Sequence, residues 1–351
     1  MFRKIFRFSF IIFLSICFFQ LKAAAGPKVE FGDDGWLKLL FLGQFHYEFL
    51  DGAADEDDFF LRRGRIIAIG QITDGVKFFM ETDNDKLGKN GVSASTDIQD
   101  MFLDVRLGDS SHWVKAGLIL LPFSFETCSS AASLLGNDYN AEVVKLTNTF
   151  VWRDYGVELH GAFGEKVAYR VGLFDGYEAA TKNPGADYRA TGHLDISLLG
   201  AVSPGWFYGQ NPLGSKQYLN IGVGFDSQSD ATLITTETTS TLYDSDAWVA
   251  DFQSCFPFGD ENAVIMNGAY YDWENASFTG TTAFVEAGLL IDKFMVTAKW
   301  SNNDKDDYDA VDDYTYGIHY FKDKKHNLRA GLEFRSGDSA DMTLLELQIL
   351  C

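Results

Sequence analysis

Between residues 292 and 335 the chain reads Asp292-Lys-Phe-Met-Val-Thr-Ala-Lys-Trp-Ser301, an acidic stretch to Asp313, Tyr314-Thr-Tyr-Gly-Ile-His-Tyr-Phe321, Lys322-Asp-Lys-Lys325 and Asn327-Leu-Arg-Ala-Gly-Leu-Glu-Phe-Arg335. In the first run Phe294, Val296, Ala298 and Trp300 fall at every second position, with Lys293, Thr297 and Lys299 between them and Met295 among these. Tyr314, Tyr316, Ile318 and Tyr320 alternate with Thr315, Gly317 and His319. Leu328, Ala330, Leu332 and Phe334 alternate with Arg329, Gly331, Glu333 and Arg335. A period of two marks β-strands with one apolar and one polar face. The connections alternate as well: Asp292 is a tight turn, Ser301 to Asp313 is long, and Lys322 to Lys325 is short.

The same rhythm runs upstream. The acidic stretch Asp51-Gly-Ala-Ala-Asp-Glu-Asp-Asp58 is followed, one strand later, by only Thr73-Asp74-Gly75; Asn84 to Thr96 by Asp109-Ser-Ser111; and Phe123 to Thr149 by Gly164-Glu165. Met101, Leu103, Val105 and Leu107 oppose Asp104 and Arg106, Val167, Tyr169, Val171 and Leu173 oppose Arg170, and Leu345, Leu347 and Ile349 oppose Glu346 and Gln348. Each strand alone fits a soluble sandwich or a membrane barrel. Segregated loop lengths belong to transmembrane β-barrels, with short turns at one end and longer loops at the other. Trp113, Trp152, Tyr169, Trp300, Tyr314 and Tyr320 fall towards strand ends on apolar faces, where an aromatic girdle sits. About sixteen strands of roughly ten residues are expected, in one domain over residues 26–351. Fourteen or eighteen also fit, because Ala201 to Ser215, with Pro204 and Pro212, is long for a turn and Asp226 to Tyr243 reads as a Thr-rich external loop.

Residues 1–25 read as a cleaved signal peptide: Arg3, Lys4 and Arg7, an apolar Phe8 to Leu21, then Ala23-Ala-Ala25. No other stretch is apolar enough for a spanning helix, and 15% aromatics with 33 Gly and 6 Pro suit many strands. Without Arg3, Lys4, Arg7 and Lys22 the chain keeps 25 basic against 50 acidic side chains, which argues against nucleic acid as a partner. Cys128, Cys255 and Cys351 remain, an odd and widely spaced set that argues against a disulfide framework, although one bridge is open to it.

Gly117-Leu-Ile-Leu-Leu-Pro-Phe-Ser-Phe-Glu126 resembles the strand end Gly-x4-Pro-Phe-Ser-x-Glu of the phosphate-selective porin O and P family. Arg153-Asp-Tyr-Gly-Val-Glu-Leu-His-Gly161, Tyr169-Arg-Val-Gly-Leu-Phe-Asp-Gly176 and Phe60-Leu-Arg-Arg-Gly-Arg65 are similar to other strands of that family, and Tyr316 to Phe321 with His326 to Phe334 to its closing hairpin. The likeness covers most of the mature chain and thins between residues 200 and 245. It implies a homotrimer of 16-stranded barrels in the outer membrane of a Gram-negative bacterium, in contact with lipid, lipopolysaccharide and the barrel-assembly machinery. It also implies a third external loop folded inward as a constriction, here Phe123 to Thr149 and beginning Phe123-Ser124-Phe125-Glu126; its small residues Cys128 to Ser133 suit close packing on the wall, and an ordinary external loop is the competing reading.

The resemblance places Arg62 and Arg63 at a tandem-arginine position, followed by Arg65. Alternation points Lys77, Arg106 and Lys115 inward, and such cations offer charge-assisted hydrogen bonds to an anion. Adjacent Arg62 and Arg63 cannot both face the lumen of a regular strand, so one is outward, at a bulge or near the rim. The competing reading is that these bases hold the wall by pairing with Glu81, Asp104 and Glu158. Inward acids (Glu81, Asp104, Glu158, Glu286, Glu333, Glu346) match the bases in number, and Asp55 to Asp58 and Asp304 to Asp313 make the mouth acidic. Acidic vestibules concentrate cations. The expectation is a channel for small hydrophilic solutes and ions, general or weakly cation-preferring, with phosphate or anion selectivity as the alternative. Carboxylates of the external loops offer Ca²⁺ or Mg²⁺ sites, and a solvated surface is the competing reading. Six single histidines, without metal spacing or a nucleophile beside them, give no enzyme signature. A secreted β-rich binding or adhesion protein is the rival. The ending Gln348-Ile-Leu-Cys351 departs from the aromatic terminus usual in such barrels.

Overall fold

The structure, a computed structural model, describes residues 26–51, 56–84, 89, 95–147, 152–176, 183–202, 205–236, 238–276 and 278–351. The segment read as a signal peptide, and parts of the acidic and third loops, lie outside the described residues. A short β1 (Lys28–Phe31) precedes β2 (Gly35–Leu50), β3 (Glu56–Thr73), β4 (Val76–Asp83), β5 (Asp97–Arg106), β6 (His112–Leu120), β7 (Arg153–Phe163), β8 (Val167–Phe174) and β9 (Arg189–Leu199). Then come β10 (Tyr218–Thr235), β11 (Ser240–Phe258), β12 (Asn262–Asn275), β13 (Phe278–Ile291), β14 (Phe294–Lys305), β15 (Val311–Phe321), β16 (Leu328–Gly337) and β17 (Met342–Leu350). From β2 onward each strand pairs antiparallel with the next, and β17 pairs with β2, from Met342 with Leu50 to Leu350 with Leu42. Sixteen strands close a barrel, so no edge is left unpaired around the wall.

The closing strand is made from both ends of the chain. Cys351 continues β17 by exchanging two backbone hydrogen bonds with Phe41, at 2.8 and 3.0 Å. The Leu39 N–H then donates to the Pro27 carbonyl, and β1 takes over beside β2 from Lys28 with Lys38 to Phe31 with Gly35.

Alternation assigns the faces. In β14 Phe294 and Val296 are 51% and 58% exposed, while Met295 between them is 0%. Met101, Leu103 and Val105 of β5 likewise point out, and Phe102 and Asp104 point in. The outward set forms a continuous apolar wall suited to lipid. Its rims carry paired aromatics: Phe163 with Tyr169 and Phe294 with Tyr320 at the short-turn end, Trp248 with Tyr270 at the other. No helix among the described residues is long and apolar enough to cross a membrane.

Two expectations need correction. Trp113 and Trp152 are not girdle residues. Trp113 shares the inward face of Lys115, beneath the Lys77 ammonium at 4.4 Å, and Trp152 is fully buried against Tyr139 with its indole N–H on the Val143 carbonyl. The run Asp226 to Tyr243 is not a loop. It is mostly the far half of two long strands, β10 and β11, paired again from Thr232 with Tyr243 beyond a register shift at Gln228. Threonine's branched Cβ favours extended backbone, and polarity on both faces marks a hairpin that has left the apolar wall.

The buried core lies inside the barrel. The loop after β6 turns inward, carrying a 3₁₀ turn (Ala131–Ser133) and a short helix α1 (Ala141–Leu146) whose first N–H groups are capped by the Asn140 side chain. Phe123, Phe125, Val143 and Trp152 pack with Tyr271, Trp273 and Phe284 of the wall.

Candidate pore constriction

The tandem arginines sit at a register shift: Gln44 faces Arg63 and Phe45 faces Leu61, so Arg62 is the extra residue of a β-bulge. The bulge turns both side chains inward, onto one carboxylate of the inward loop. The Arg62 Nε donates to Asp138 Oδ2 and an Arg63 Nη to Asp138 Oδ1, each at 2.7 Å. Burial alone pushes the Asp138 carboxyl up, but the two guanidiniums hold it well below the usual carboxylate range. Arg63 also donates to Gln44, whose amide binds the Ala131 carbonyl, and Gln348 binds that of Ala132. The small residues of the loop therefore do lie close to the wall.

The other inward bases are tied to acids in the same way. Arg65 bridges Glu81 at 2.6 Å and Asp83 at 2.8 Å, and Lys115 meets Glu158 at 2.8 Å with Arg170 on the same carboxylate. Arg153 binds Asp100, Arg189 binds Asp226, and Arg329 binds Glu346, which also receives His46 at 2.9 Å. Asp104 accepts from His160 at 3.0 Å, and Glu286 from Asn267 at 2.9 Å. Lys77 and Arg106 point inward as expected, but at the short-turn rim: they flank Trp113, and Arg106 pairs with Asp74 of the first tight turn. They are not at the constriction.

In the inward loop Phe123 meets Trp273, Phe125 meets Phe284, and Ser124 accepts from the Tyr271 hydroxyl at 2.9 Å. Glu126 is fully enclosed, taking the Asn140 N–H at 2.9 Å and the Gln210 amide; burial pushes its carboxyl up to about 7. A cavity of about 410 Å³ opens on the long-loop side. Six acids (Glu48, Asp138, Glu142, Glu286, Asp313, Glu333) and four bases (Arg62, Lys89, Lys299, Arg335) line it. Lys89 closes over it from the second long loop, 2.5 Å from Glu48. Of the acidic mouth, Asp312 accepts from Trp300 and Asn302, and Asp313 from Ser339. Among the described residues no three His, Cys, Asp or Glu groups stand together as a metal site, and the three cysteines are free thiols.

Asp138, which anchors the tandem arginines, was not legible, because loop residues carry no alternation. Nor was the segment Gly205 to Gln217, whose Trp206-Phe-Tyr208 enters the barrel from the short-turn end. Three consecutive aromatics in a connection read as a turn were the available signal.

No family model matches the chain, and no curated protein matches it. Solved structures do. OmpF of Salmonella typhi, in complex with daunomycin, superposes with a TM-score of 0.62 at 9% identity, over 93% of this chain and 100% of that one. An anion-selective porin from Comamonas acidovorans gives 0.58 at 12% identity, over 90% and 99%. The trimer form of OmpT from Vibrio cholerae gives 0.56 at 12%, over 91% and 100%. The likeness is one of fold. It extends to nearly the whole of each chain, and it leaves the phosphate-selective subfamily suggested by the strand motifs without support of its own.

Proposed function

We propose that the protein is an outer-membrane porin of a Gram-negative bacterium, a channel for small hydrophilic solutes and ions that weakly prefers cations. The observation that carries this reading is the pairing of the inward arginines. Arg62, Arg63, Arg65, Arg153, Arg170, Arg189 and Arg329 each hold a carboxylate, so the set braces the wall and the inward loop rather than standing ready for an anion. In formal charge the vestibule adds six acids against four bases, a balance that favours cations within a Debye length of about 8 Å at physiological salt. The fold shared with porins and the apolar outer wall support the membrane setting; residues 1–25 fit an export signal removed on the way there.

A second reading, phosphate or anion selectivity, is favoured by the tandem arginines of β3 and by the family likeness of the strands. It requires Asp138 to release Arg62 and Arg63. The trimer form of one structural neighbour supports a homotrimer here, with lipid, lipopolysaccharide and the barrel-assembly machinery as the remaining partners.

The test is permeation in proteoliposomes with solutes of one size and different charge. Lysine should enter several-fold faster than glutamate, with a neutral amino acid between them. Faster entry of glutamate would contradict the cation preference and restore the anion reading.

A further inference from the structure

The connection from β9 to β10 belongs at the short-turn end, yet its residues 205–213 lie inside the barrel. Trp206 donates its indole N–H to Asp104 at 2.6 Å and stands edge-on to Phe102 and Phe79, with centroids at 5.3 and 5.8 Å. Tyr208 donates its hydroxyl to Asp195, and its backbone joins that of the inward loop. Its N–H binds the Cys128 carbonyl at 2.9 Å, its carbonyl takes the Ser130 N–H at 3.1 Å, and Ser129 and Tyr208 form a parallel bridge. The Asn211 N–H binds the Ser133 carbonyl at 3.0 Å, and Gln210 holds Glu126.

Both segments are tied to the wall as well as to each other. The inward loop is held by Gln44 of β2, Gln348 of β17 and Arg329 of β16; the segment 205–213 is held by Asp104 of β5, Arg170 of β8 and Asn267 of β12. Joined along their backbones they cross the lumen. On the long-loop side lies the vestibule. On the other side lies a cavity of about 280 Å³ lined by Asp195, Tyr208, Lys216 and Gln253, and the two cavities share no lining residue.

We propose that segment 205–213 is a plug which docks on the inward loop and closes the pore at its waist, so that solute passes only when it undocks. This rests on the channel reading above. The docked state is not saturated: among the described residues Glu158 Oε2, Thr191 Oγ1, Asn267 Oδ1 and both amide atoms of Asn137 are buried inside the barrel without a hydrogen-bond partner. Of these, Asn267 holds the Gln210 carbonyl, so withdrawing the plug opens its unpartnered amide oxygen to water, which lowers the cost of opening.

A cysteine pair tests this. A Cβ placed at Gly209 falls 3.7 Å from Ser133 Oγ, within reach of a disulfide after a small shift. In planar bilayers the oxidised S133C/G209C protein should pass at least ten-fold less current than its reduced form, with each single variant unaffected by oxidant. The undocking variant W206A/Y208A should raise the current several-fold over the unaltered protein. Equal currents from the oxidised and reduced pair would overturn the plug and leave the channel reading intact. If the pair is silent in both forms, current through W206A/Y208A alone upholds the plug. Silence there too, in a barrel still heat-modifiable on a gel, would overturn the channel reading and the plug with it.

Discussion

At the residue scale the constriction is a set of charges neutralised in place. Asp138 serves two guanidiniums, one of them on Arg63, which is 2% exposed. Asp138→Ala leaves that cation buried without its acid, and breaking such a pair costs on the order of 3 kcal/mol. A lower denaturant midpoint is expected, together with a reversal potential shifted towards anions; an unchanged midpoint would contradict the anchor. Glu126 gives a pH dependence. Burial raises its carboxyl to about 7, against the opposing pull of Lys299 of β14; Glu286 of β13, Tyr139 of the inward loop and Tyr271 of β12 complete its titratable surroundings. Between the ordinary carboxyl value near 4.3 and about 7 the folded chain keeps a proton that the unfolded chain has lost. This contribution therefore declines as pH rises through that window and is flat above it. Unfolding in detergent should show the protein less stable at pH 8 than at pH 5, and Glu126→Gln should shrink the difference. An identical pH profile for the variant would remove Glu126 from the account.

At the element scale the strands were legible and several connections were not. Period-two alternation reads out faces such as Phe294 to Trp300 because lipid and lumen select opposite chemistry at successive residues. It gave the inward direction of Lys77, Arg106 and Lys115 and offered Glu81 and Glu158 as acid partners, which Arg65 and Lys115 do meet, but not Asp83 or Asp74, which lie at a strand end and in a turn. The bulge at Arg62 could be named only as one option, because a bulge is a matter of register with β2. The hairpin Asp226 to Tyr243 was misread since threonine serves loops and strands alike. It has a consequence that can be checked. The tip beyond the register shift is half-buried or exposed from Thr232 to Tyr243 among its described residues, so replacing residues 232–243 by a tight turn should change the unfolding free energy by less than about 0.5 kcal/mol. A large loss would mean the tip braces the barrel. The composite strand predicts the reverse. Deleting residues 26–31 strips β2 of its partner from Gly35 to Leu39, and barrels exposing such an edge should unfold at lower denaturant and aggregate.

At the scale of the whole molecule, a lipid-compatible exterior encloses an interior packed like a protein core. Outward faces were predictable from the chain because every strand repeats them. The filling of the lumen was not, because the inward loop and segment 205–213 meet residues far apart in sequence, as Tyr208 meets Cys128 and Gln210 meets Glu126. Selectivity belongs to this scale, since it follows from the summed charge of the vestibule and from which cations are already held. The direct measurement is the reversal potential of the purified, refolded protein in a planar bilayer under a KCl gradient, repeated with phosphate added. Stepwise currents with a potential on the K⁺ side of zero, unchanged by phosphate, are the expected result. A potential on the Cl⁻ side with block by phosphate would contradict the braced-arginine account and make Arg62 and Arg63 an anion site.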